Sequence, residues 1–381
     1  MSRLQELIQR LCPEGVEYIP VGELCTVSRG RVMSKDYIKE NAGPYPVYSS
    51  QTENNGELGH IATYDYEGEY VTWTTDGANA GSVFYRNEKF SITNVCGLLT
   101  AKNSTINTRF LYFALSTRAK SYVNSGMGNP KLMSNVMAKI KVPVPPLKVQ
   151  QEIVRILDQF TQLTAELTAE LTARKQQYIY YRNRLLSHQD QSTWMTLGDI
   201  GKVAMCKRIM KAETSPSGDV PFYKIGTFGK EPDAYITKEK YEEYRSKYSF
   251  PKKGDILISA AGTIGRTVIY DGQPAYYQDS NIVWVENDES IVLNRYLYYY
   301  YQLQPWAVST GGTIARLYND NISKAKISVP PLSEQRRIVA ILDRFDALCN
   351  DLTSGLPAEI TARQRQYEYY RDKLLNFKEK K

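Results

Sequence analysis

The chain contains few of the residues on which catalysis and metal binding most often depend. Its 381 residues include only two histidines, His60 and His188, and five scattered cysteines with no Cys-x-x-Cys pair. These spacings cannot supply a zinc ligand set, and they give little support to Ser/His or Cys/His catalysis. Unpatterned cysteines are typical of a reducing cytosol. We therefore expect no metal site.

Long apolar runs are also missing. No stretch of the sequence is apolar enough to span a membrane. The first ten residues, Met1 to Arg10, predict a short amphipathic helix without the apolar core of a secretory signal. The expectation is a cytoplasmic protein that does not contact a membrane.

Motifs for chemistry on DNA are incomplete. Asn129-Pro130-Lys131-Leu132 lacks the second proline and the aromatic residue of an amino-methyltransferase motif. The glycines of the 262–267 segment come without a lysine, which favours a tight turn over a nucleotide-binding loop. Pro232-Asp233 lacks the acidic-x-Lys partner of a nuclease. The sequence therefore predicts a non-enzymatic chain with no cofactor of its own.

The composition is that of a folded, moderately basic protein. The formal net charge is +7, and 42% of the residues are hydrophobic. This length predicts two or three domains. The basic charge suits a DNA-binding protein, and it also suits many ordinary proteins. The 30 tyrosines are interpreted mainly as half-buried packing residues, with base stacking as the alternative.

An internal repeat is the strongest signal in the sequence. Pro145-Pro146-Leu147 is followed by Gln150 and an Ile-Val-x-Ile-Leu-Asp-x-Phe block, and the same pattern returns from Pro330 with a shift of 185 positions. A later Gln-Tyr-x-Tyr-Tyr-Arg block also occurs twice, with four extra residues before its second copy. Between these blocks, framework positions repeat while the other residues diverge. Such a pattern indicates two domains of one fold that bind different targets.

Each half predicts a β-rich globular domain followed by a long helix. The predicted segments are a first globular domain with a short N-terminal helix (1–145), a central helix (146–190), a second globular domain (191–329) and a C-terminal helix (330–381) kinked near 355–357. The two helices are expected to pair as an antiparallel coiled coil. The alternative is that each helix packs on its own domain. The apolar residues expected to form one contact stripe along these helices are Ile153, Leu157, Phe160, Leu163, Leu167, Leu171, Tyr178, Ile338, Leu342, Phe345, Leu352 and Tyr367.

A four-residue unit, Thr-Ala-Glu-Leu, occurs twice in tandem within the central helix, between Leu163 and Ala173. One unit lengthens a helix by about 6 Å and turns it about 40° beyond one revolution. That rotation is close to the roughly 35° between neighbouring base pairs. The tandem therefore predicts a spacer of adjustable length between two DNA-reading domains.

This layout resembles the specificity subunits of Type I restriction–modification systems, and the tandem unit and tyrosine-rich blocks look like their IC branch. The resemblance implies an α+β protein with a pseudo-twofold internal repeat, in which two target recognition domains are separated by long antiparallel coiled-coil helices. It implies recognition of an asymmetric bipartite site in double-stranded DNA. The implied partners are two methyltransferase subunits, which bind S-adenosylmethionine and methylate adenine N6, and restriction subunits that depend on ATP.

Candidate DNA-contacting residues are polar side chains on turns, together with Lys and Arg that can reach phosphates or guanine. For each one alone, a structural role in its turn is the alternative. The candidates in the first domain are Ser49, Ser50, Gln51, Asn54, Asn55, Thr75, Asp76, Asn79, Asn129 and Lys131. Those in the second are Tyr223, Lys224, Thr263, Arg266, Gln278, Asp279, Asn281, Thr313 and Arg316.

Two other functions are compatible with parts of this pattern. One is a protein-interaction scaffold with two binding domains on a coiled-coil spacer. It differs from a DNA-binding protein in its salt dependence, because phosphate contacts weaken steeply as salt rises. The other is a self-sufficient methyltransferase, which would have to bind S-adenosylmethionine by itself.

Overall fold

The computed structural model describes residues 3–51, 53–126, 128–187, 191–309 and 315–380. The chain forms two compact units. The first comprises Met1–Thr168 and Glu359–Lys381, and the second comprises Ala169–Ala358.

Helices and strands alternate irregularly in the part of the chain up to the central helix. The helices are α1 (Arg3–Leu11), α2 (Val21–Leu24), α3 (Lys35–Glu40), α4 (Thr108–Ser116), α5 (Ser134–Met137) and α6 (Leu147–Leu185). The strands are β1 (Glu17–Pro20), β2 (Cys25–Arg29), β3 (Tyr45–Tyr48), β4 (Glu57–Ile61), β5 (Tyr66–Thr74), β6 (Val83–Ile92), β7 (Cys96–Ala101) and β8 (Lys141–Val144).

The remainder of the chain repeats this mixture with shorter strands. Its helices are α7 (Leu197–Ile200), α8 (Lys238–Lys247), α9 (Asn294–Tyr301), α10 (Asn319–Ser323), α11 (Leu332–Asn350) and α12 (Leu356–Leu374). Its strands are β9 (Thr193–Thr196), β10 (Lys202–Ala204), β11 (Val220–Tyr223), β12 (Tyr235–Ile236), β13 (Ile256–Ser259), β14 (Thr267–Ile269), β15 (Tyr276–Tyr277), β16 (Ile282–Glu286) and β17 (Lys326–Val329).

The first unit is built on a six-stranded sheet of order β2-β7-β5-β6-β3-β4, in which β3 and β6 run parallel. Strands β1 and β8 form a separate antiparallel pair. Trp73 on β5 is fully buried, and its indole Nε1 donates a hydrogen bond to Leu132 O at 2.9 Å. This bond satisfies the one polar atom of a large core side chain.

The second unit divides its strands between two sheets, β10-β16-β13-β14 and β12-β11-β15, with β11 and β15 parallel. Strands β9 and β17 pair antiparallel, as β1 and β8 do in the first unit. Many of the tyrosines are core residues, among them Tyr296, Tyr299 and Tyr301. Burial in packing sites therefore accounts for these residues.

Each unit contains a buried glutamine that makes the same set of hydrogen bonds. In the first unit, Gln150 Nε2 donates to Thr105 O and Pro145 O, and Gln150 Oε1 accepts from Asn107 N. In the second unit, Gln335 makes the same three kinds of bond, to Ile291 O, Pro330 O and Leu293 N. Both side chains are fully buried. The predicted repeat of two halves that mix helix and strand is therefore present in the fold.

Helix α6 contributes residues to both units and contacts a different helix in each. In the first unit, Phe160 stacks on Tyr370 of α12, with ring centroids 5.5 Å apart. In the second unit, Tyr178 and Tyr181 lie against Phe345 of α11, at 6.4 and 5.7 Å. Aromatic contacts therefore line the helix pairs inside each unit.

Burial along the predicted stripe is uneven. The buried residues are Ile153, Leu157, Tyr178, Ile338 and Leu342, and the half-buried ones are Phe160, Leu167, Leu171, Phe345 and Tyr367. Leu163 is 37% exposed, and Leu352 is 79% exposed. The structure departs from the expected stripe at Leu352 because α11 ends at Asn350, so helical spacing no longer applies there.

The break between α11 and α12 is a compact polar turn. Asp351 accepts hydrogen bonds from the backbone N–H groups of Thr353 and Ser354, at 2.7 and 3.3 Å. Hydrogen bonds from the Ser354 and Thr353 hydroxyls, together with these backbone bonds, hold the pKa of Asp351 well below its usual range. Gly355 is buried so closely that an added Cβ would lie 2.5 Å from Ala347 O. Pro357 lies in the first turn of α12, where its missing N–H costs nothing.

Within the described ranges, none of the helices has both the length and the apolar character to cross a membrane.

Candidate nucleic-acid interface

The turn between β6 and β7 connects two of the predicted clusters in the first unit. Thr93 donates from its backbone N to Tyr48 O and from its hydroxyl to Ser49 Oγ, both at 2.9 Å. Two residues later, Val95 O accepts a bond of 3.1 Å from Thr75 N. The loop that begins at Ser49 and the segment at Thr75 are therefore fixed to one turn.

The cluster of Asn129 and Lys131 is fixed to the Thr75-Asp76 segment by backbone and side-chain contacts. Leu132 N donates to Thr75 O at 2.9 Å, and Lys131 Nζ lies 3.5 Å from Asp76 Oδ1. Thr75 itself is fully buried. Its hydroxyl donates to Asp76 Oδ2 at 3.2 Å and is not available to a base. The structure therefore assigns Thr75 to the support of this surface, which corrects its prediction as a contact residue.

The other candidates of the first unit lie on the loop surface. Asn79 and Asn129 are exposed. A depression of about 350 Å³ is lined by Asn124, Gly126, Gly128, Asn129 and Lys131. Ser49, Ser50 and Gln51 are half-buried, whereas Asn54 and Asn55 are exposed. The structure thus brings the predicted clusters of this unit together on connected loops. Whether they contact DNA stays a prediction.

The second unit builds a similar surface around the turn that follows β15. Gln278 N donates to Tyr223 O at 2.9 Å, and Gln278 Oε1 accepts from Ile225 N at 3.0 Å. Asn281 O accepts from Ala260 N at 2.7 Å. Two segments of the chain, one at 223–225 and one at Ala260, are therefore tied to the 278–281 turn.

Arginine side chains stabilise this second surface from within. Arg316 Nη2 donates to Ser280 O at 2.8 Å, and Arg266 Nη1 donates to Phe228 O at 2.9 Å. Both arginines are half-buried, so part of their donor capacity is spent on the fold. Thr263 is exposed on the turn before Arg266. Thr313 lies outside the described residues.

Several of these candidates line one cleft of about 650 Å³, with basic and acidic groups facing each other. Arg208 Nε donates to Asp279 Oδ2 at 2.8 Å, which joins the cleft walls. The predicted residues in the lining are Lys224, Gln278, Asp279, Asn281 and Arg316. Sequence reasoning missed Arg208, Met210 and Lys211, which also line it. The basic run from Lys207 to Lys211 was the available signal.

The two surfaces occupy equivalent places on the repeated framework. Leu132 N donates to Thr75 O, and Leu317 N donates to Ala260 O, each at 2.9 Å. Lys131 and Arg316 each directly precede the leucine that donates this bond, so they are counterparts. Strands β3 and β11 end at Tyr48 and Tyr223, whose carbonyl oxygens accept bonds from Thr93 N and Gln278 N. Ser49 and Lys224 follow these tyrosines and are therefore also counterparts. The frameworks coincide, and the exposed side chains differ.

Metal ligation and cysteine chemistry are the two kinds of reactivity that can be examined among the residues that the structure describes. In the part of the chain that the structure describes, no group of three or more His, Cys, Asp or Glu side chains is placed to hold a metal ion. The five cysteines are free and buried. Burial raises the pKa of the Cys96 and Cys206 thiols to about 12, which disfavours the nucleophilic thiolate. The fold contains two compact units, and each carries a loop surface of polar and basic side chains.

Comparison with known proteins identifies the family. Residues 13–174 and 191–362 each match the family model described as the Type I restriction modification DNA specificity domain. A putative type I restriction enzyme specificity subunit of Haemophilus influenzae, S.HindORF215P, is 48% identical over 374 residues, covering 95% of this chain and 96% of that protein. A putative type I specificity subunit of Mycoplasma pneumoniae, S.MpnORF507P, is 34% identical over 362 residues, covering 94% of this chain and 96% of that protein.

A solved structure has the same fold. The type I restriction–modification S subunit from M. genitalium aligns with a TM-score of 0.59 at 15% identity, covering 95% of this chain and 96% of that one. The chain belongs to the type I restriction–modification DNA specificity family. The predicted family, the role in DNA sequence recognition and the non-catalytic character are confirmed by these matches.

Proposed function

We propose that the chain recognises an asymmetric bipartite DNA site, with one half-site read by each unit. The observation that carries this proposal is the pair of loop surfaces on equivalent framework positions. Ser49 and Lys131 in the first unit correspond to Lys224 and Arg316 in the second. Surfaces with different donors and charges prefer different base-pair edges, so the two half-sites differ in sequence.

The long helices are proposed to set the distance between the half-sites. Helix α6 runs without interruption from Leu147 to Leu185 and supplies residues to both units. A continuous helix is stiff over such a length, about 60 Å. In this proposal the helices pair as an antiparallel coiled coil and form the spacer.

The proposed partners carry the chemistry. Two methyltransferase subunits bind this chain, hold S-adenosylmethionine and methylate adenine N6 within the recognised site. Restriction subunits join them and cleave unmethylated DNA in an ATP-dependent reaction. The chain itself holds neither cofactor. Its contribution is the choice of sequence.

The proposal is tested by mapping methylated adenines in the source genome with and without this gene. Deletion is expected to abolish methylation at one asymmetric split motif, and a plasmid copy of the gene is expected to restore it. The restored motif gives both half-sites and the spacer. Persistence of every motif after deletion, with the gene expressed in the parent strain, would contradict the proposal and favour the interaction scaffold.

A further inference from the structure

Arg86 on β6 is a charged side chain in the interior of the first unit. It is 1% exposed, and burial lowers the pKa of its guanidinium, although arginine stays charged in proteins. The nearby Glu88 carboxylate accepts a hydrogen bond of 2.6 Å from the Tyr48 hydroxyl, and no ion pair among the described residues includes Arg86. Its charge is instead held over two rings, 3.4 Å from the centroid of Tyr48 and 4.8 Å from that of Phe84.

The donors of Arg86 are only partly satisfied. Nη2 donates to Asn55 O at 2.8 Å, and Nε donates to Thr72 Oγ1 at 3.3 Å. Nη1 is buried and has no hydrogen-bond partner in the part of the chain described. A buried charge with an unsatisfied donor costs free energy, so this position is not optimised for stability alone. Through Nη2 the guanidinium is bonded to the loop that carries Asn54 and Asn55.

That loop has an unusual backbone. Asn54 and Asn55 both have left-handed φ angles, of 50° and 57°, and Gly56 follows at 83°. Asparagine tolerates this region better than most residues, but two in succession need outside support. Gly56 is buried, and a Cβ added there would lie 3.3 Å from Arg86 Nη2 and 3.1 Å from Gln51 O. Arg86 therefore packs directly beneath the turn.

The turn presents two amide side chains outward. Asn54 and Asn55 are exposed on the connected loop surface of the first unit. An asparagine amide can donate to adenine N7 and accept from adenine N6 at once, which reads an A·T pair in the major groove. A turn whose backbone is held in place before binding loses less conformational entropy on binding.

We propose that the Asn54-Asn55 turn reads an A·T pair in the first half-site and that Arg86 is the positioning residue that holds this turn. The inference rests on the proposed function of the chain. It assigns a role to a buried residue outside the loops, and it confines that role to one half-site.

The test uses the methylation map of the gene-deletion strain complemented with variants of the full chain. Asn54→Ala and Asn55→Ala remove the reading groups, Arg86→Ala removes the support, and Arg86→Lys keeps the charge over Tyr48 with fewer donors. Asn87→Ala, on the exposed side of the same strand, is the matched control. The readout is methylation at sites that differ from the motif at one position.

The expected result is relaxed selectivity at one A·T position of the first half-site, by about tenfold or more for at least one asparagine variant. Arg86→Ala relaxes the same position, Arg86→Lys relaxes it less, and Asn87→Ala leaves the motif unchanged. The second half-site and the spacer remain intact in each case, which shows that the assembly still functions.

Unchanged selectivity in both asparagine variants would overturn the proposal. So would an Arg86→Lys variant that weakens methylation at all sites equally, since that is the signature of a merely structural residue. If Arg86→Ala yields no folded protein, the asparagine variants and Arg86→Lys still decide. Failure of the proposed function is a separate result, because wild-type complementation would then restore no motif at all.

Discussion

Two donors of Arg109, Nε and Nη2, bond to the same oxygen of Asp158, at 2.9 and 2.8 Å. Arg109 lies on α4 and Asp158 on α6, so this ion pair connects the globular part of the first unit to its long helix. The second unit has a counterpart, in which Arg295 of α9 lies 2.6 Å from Asp343 of α11. The repeat therefore preserves the attachment of domain to helix as well as the sequence blocks.

Replacing Arg109 by Ala is expected to lower the free energy of unfolding by about 1 kcal/mol. A charged hydrogen bond can contribute more, but Asp158 is 41% exposed and solvent screens the pair. Urea unfolding of Arg109→Ala, Asp158→Ala and the double variant measures the coupling. Lys148→Ala, an exposed site on α6, is the control. Strictly additive losses would show that the pair contributes no stability.

Substitution of the buried glutamine is expected to cost more stability than substitution of Arg109. Gln150→Glu removes both donors to Thr105 O and Pro145 O, and it places a carboxylate in a site with no exposure. We expect a loss of about 2–4 kcal/mol at neutral pH. Gln151→Glu, one residue along and exposed, is the matched control. Urea unfolding at fixed ionic strength measures both.

The stability of the Gln150→Glu variant is expected to fall as pH rises. Burial beside two carbonyls raises the folded-state pKa of the new carboxyl above its unfolded value of about 4.3. The protonated acid can donate one bond, so the variant is least destabilised below that value and becomes less stable as pH rises. A stability difference that does not change with pH would mean that the carboxylate reaches solvent.

The uneven stripe of α6 gives a third prediction. Leu157 is fully buried, whereas Leu163 is 37% exposed on the same helix. Leu157→Ala is expected to cost about 2–5 kcal/mol because it leaves a cavity, and Leu163→Ala less than about 1 kcal/mol. Urea unfolding compares them. Similar losses at both positions would indicate that Leu163 is covered in the free protein.

The framework was predictable from the sequence because local rules determine it. The double proline at Pro145-Pro146 predicts an abrupt helix start, and α6 begins at Leu147. The repeated Gln150 and Gln335 stand at fixed positions after each such start. Helix starts depend on periodicity and on prolines within a few residues, so they can be predicted without knowledge of tertiary contacts.

The loop surfaces were predictable only as clusters. Turn-forming residues indicated where the loops would lie, but tertiary bonds decide which side chains face outward. Thr75 is fully buried and its hydroxyl donates to Asp76, and Arg316 uses one donor on Ser280 O. Arg86 could not be selected, because its hydrogen-bond partners, Thr72 and Asn55, are distant in sequence. Arg208 was overlooked, although the basic run from Lys207 to Lys211 marks it. Leu352 was assigned by helical spacing that stops at Asn350.

The last prediction concerns the Thr-Ala-Glu-Leu tandem, which lies within α6. Inserting one further unit after Glu170 is expected to lengthen the unread spacer and leave both half-sites unchanged. The insertion adds about 6 Å of helix and about 40° of rotation, close to one base-pair step of roughly 35°. The adenine methylation map of the complemented deletion strain measures the spacer.

A substitution that preserves helix length separates length from composition. Thr164 Oγ1 bonds to Phe160 O within its own helix, at 2.9 Å. Thr164→Ala is therefore expected to leave the spacer unchanged. If the insertion altered a half-site, or left the spacer as it was, the helix would not set the separation. A longer spacer with both half-sites intact would mean that helix length and base recognition are independent properties of this chain.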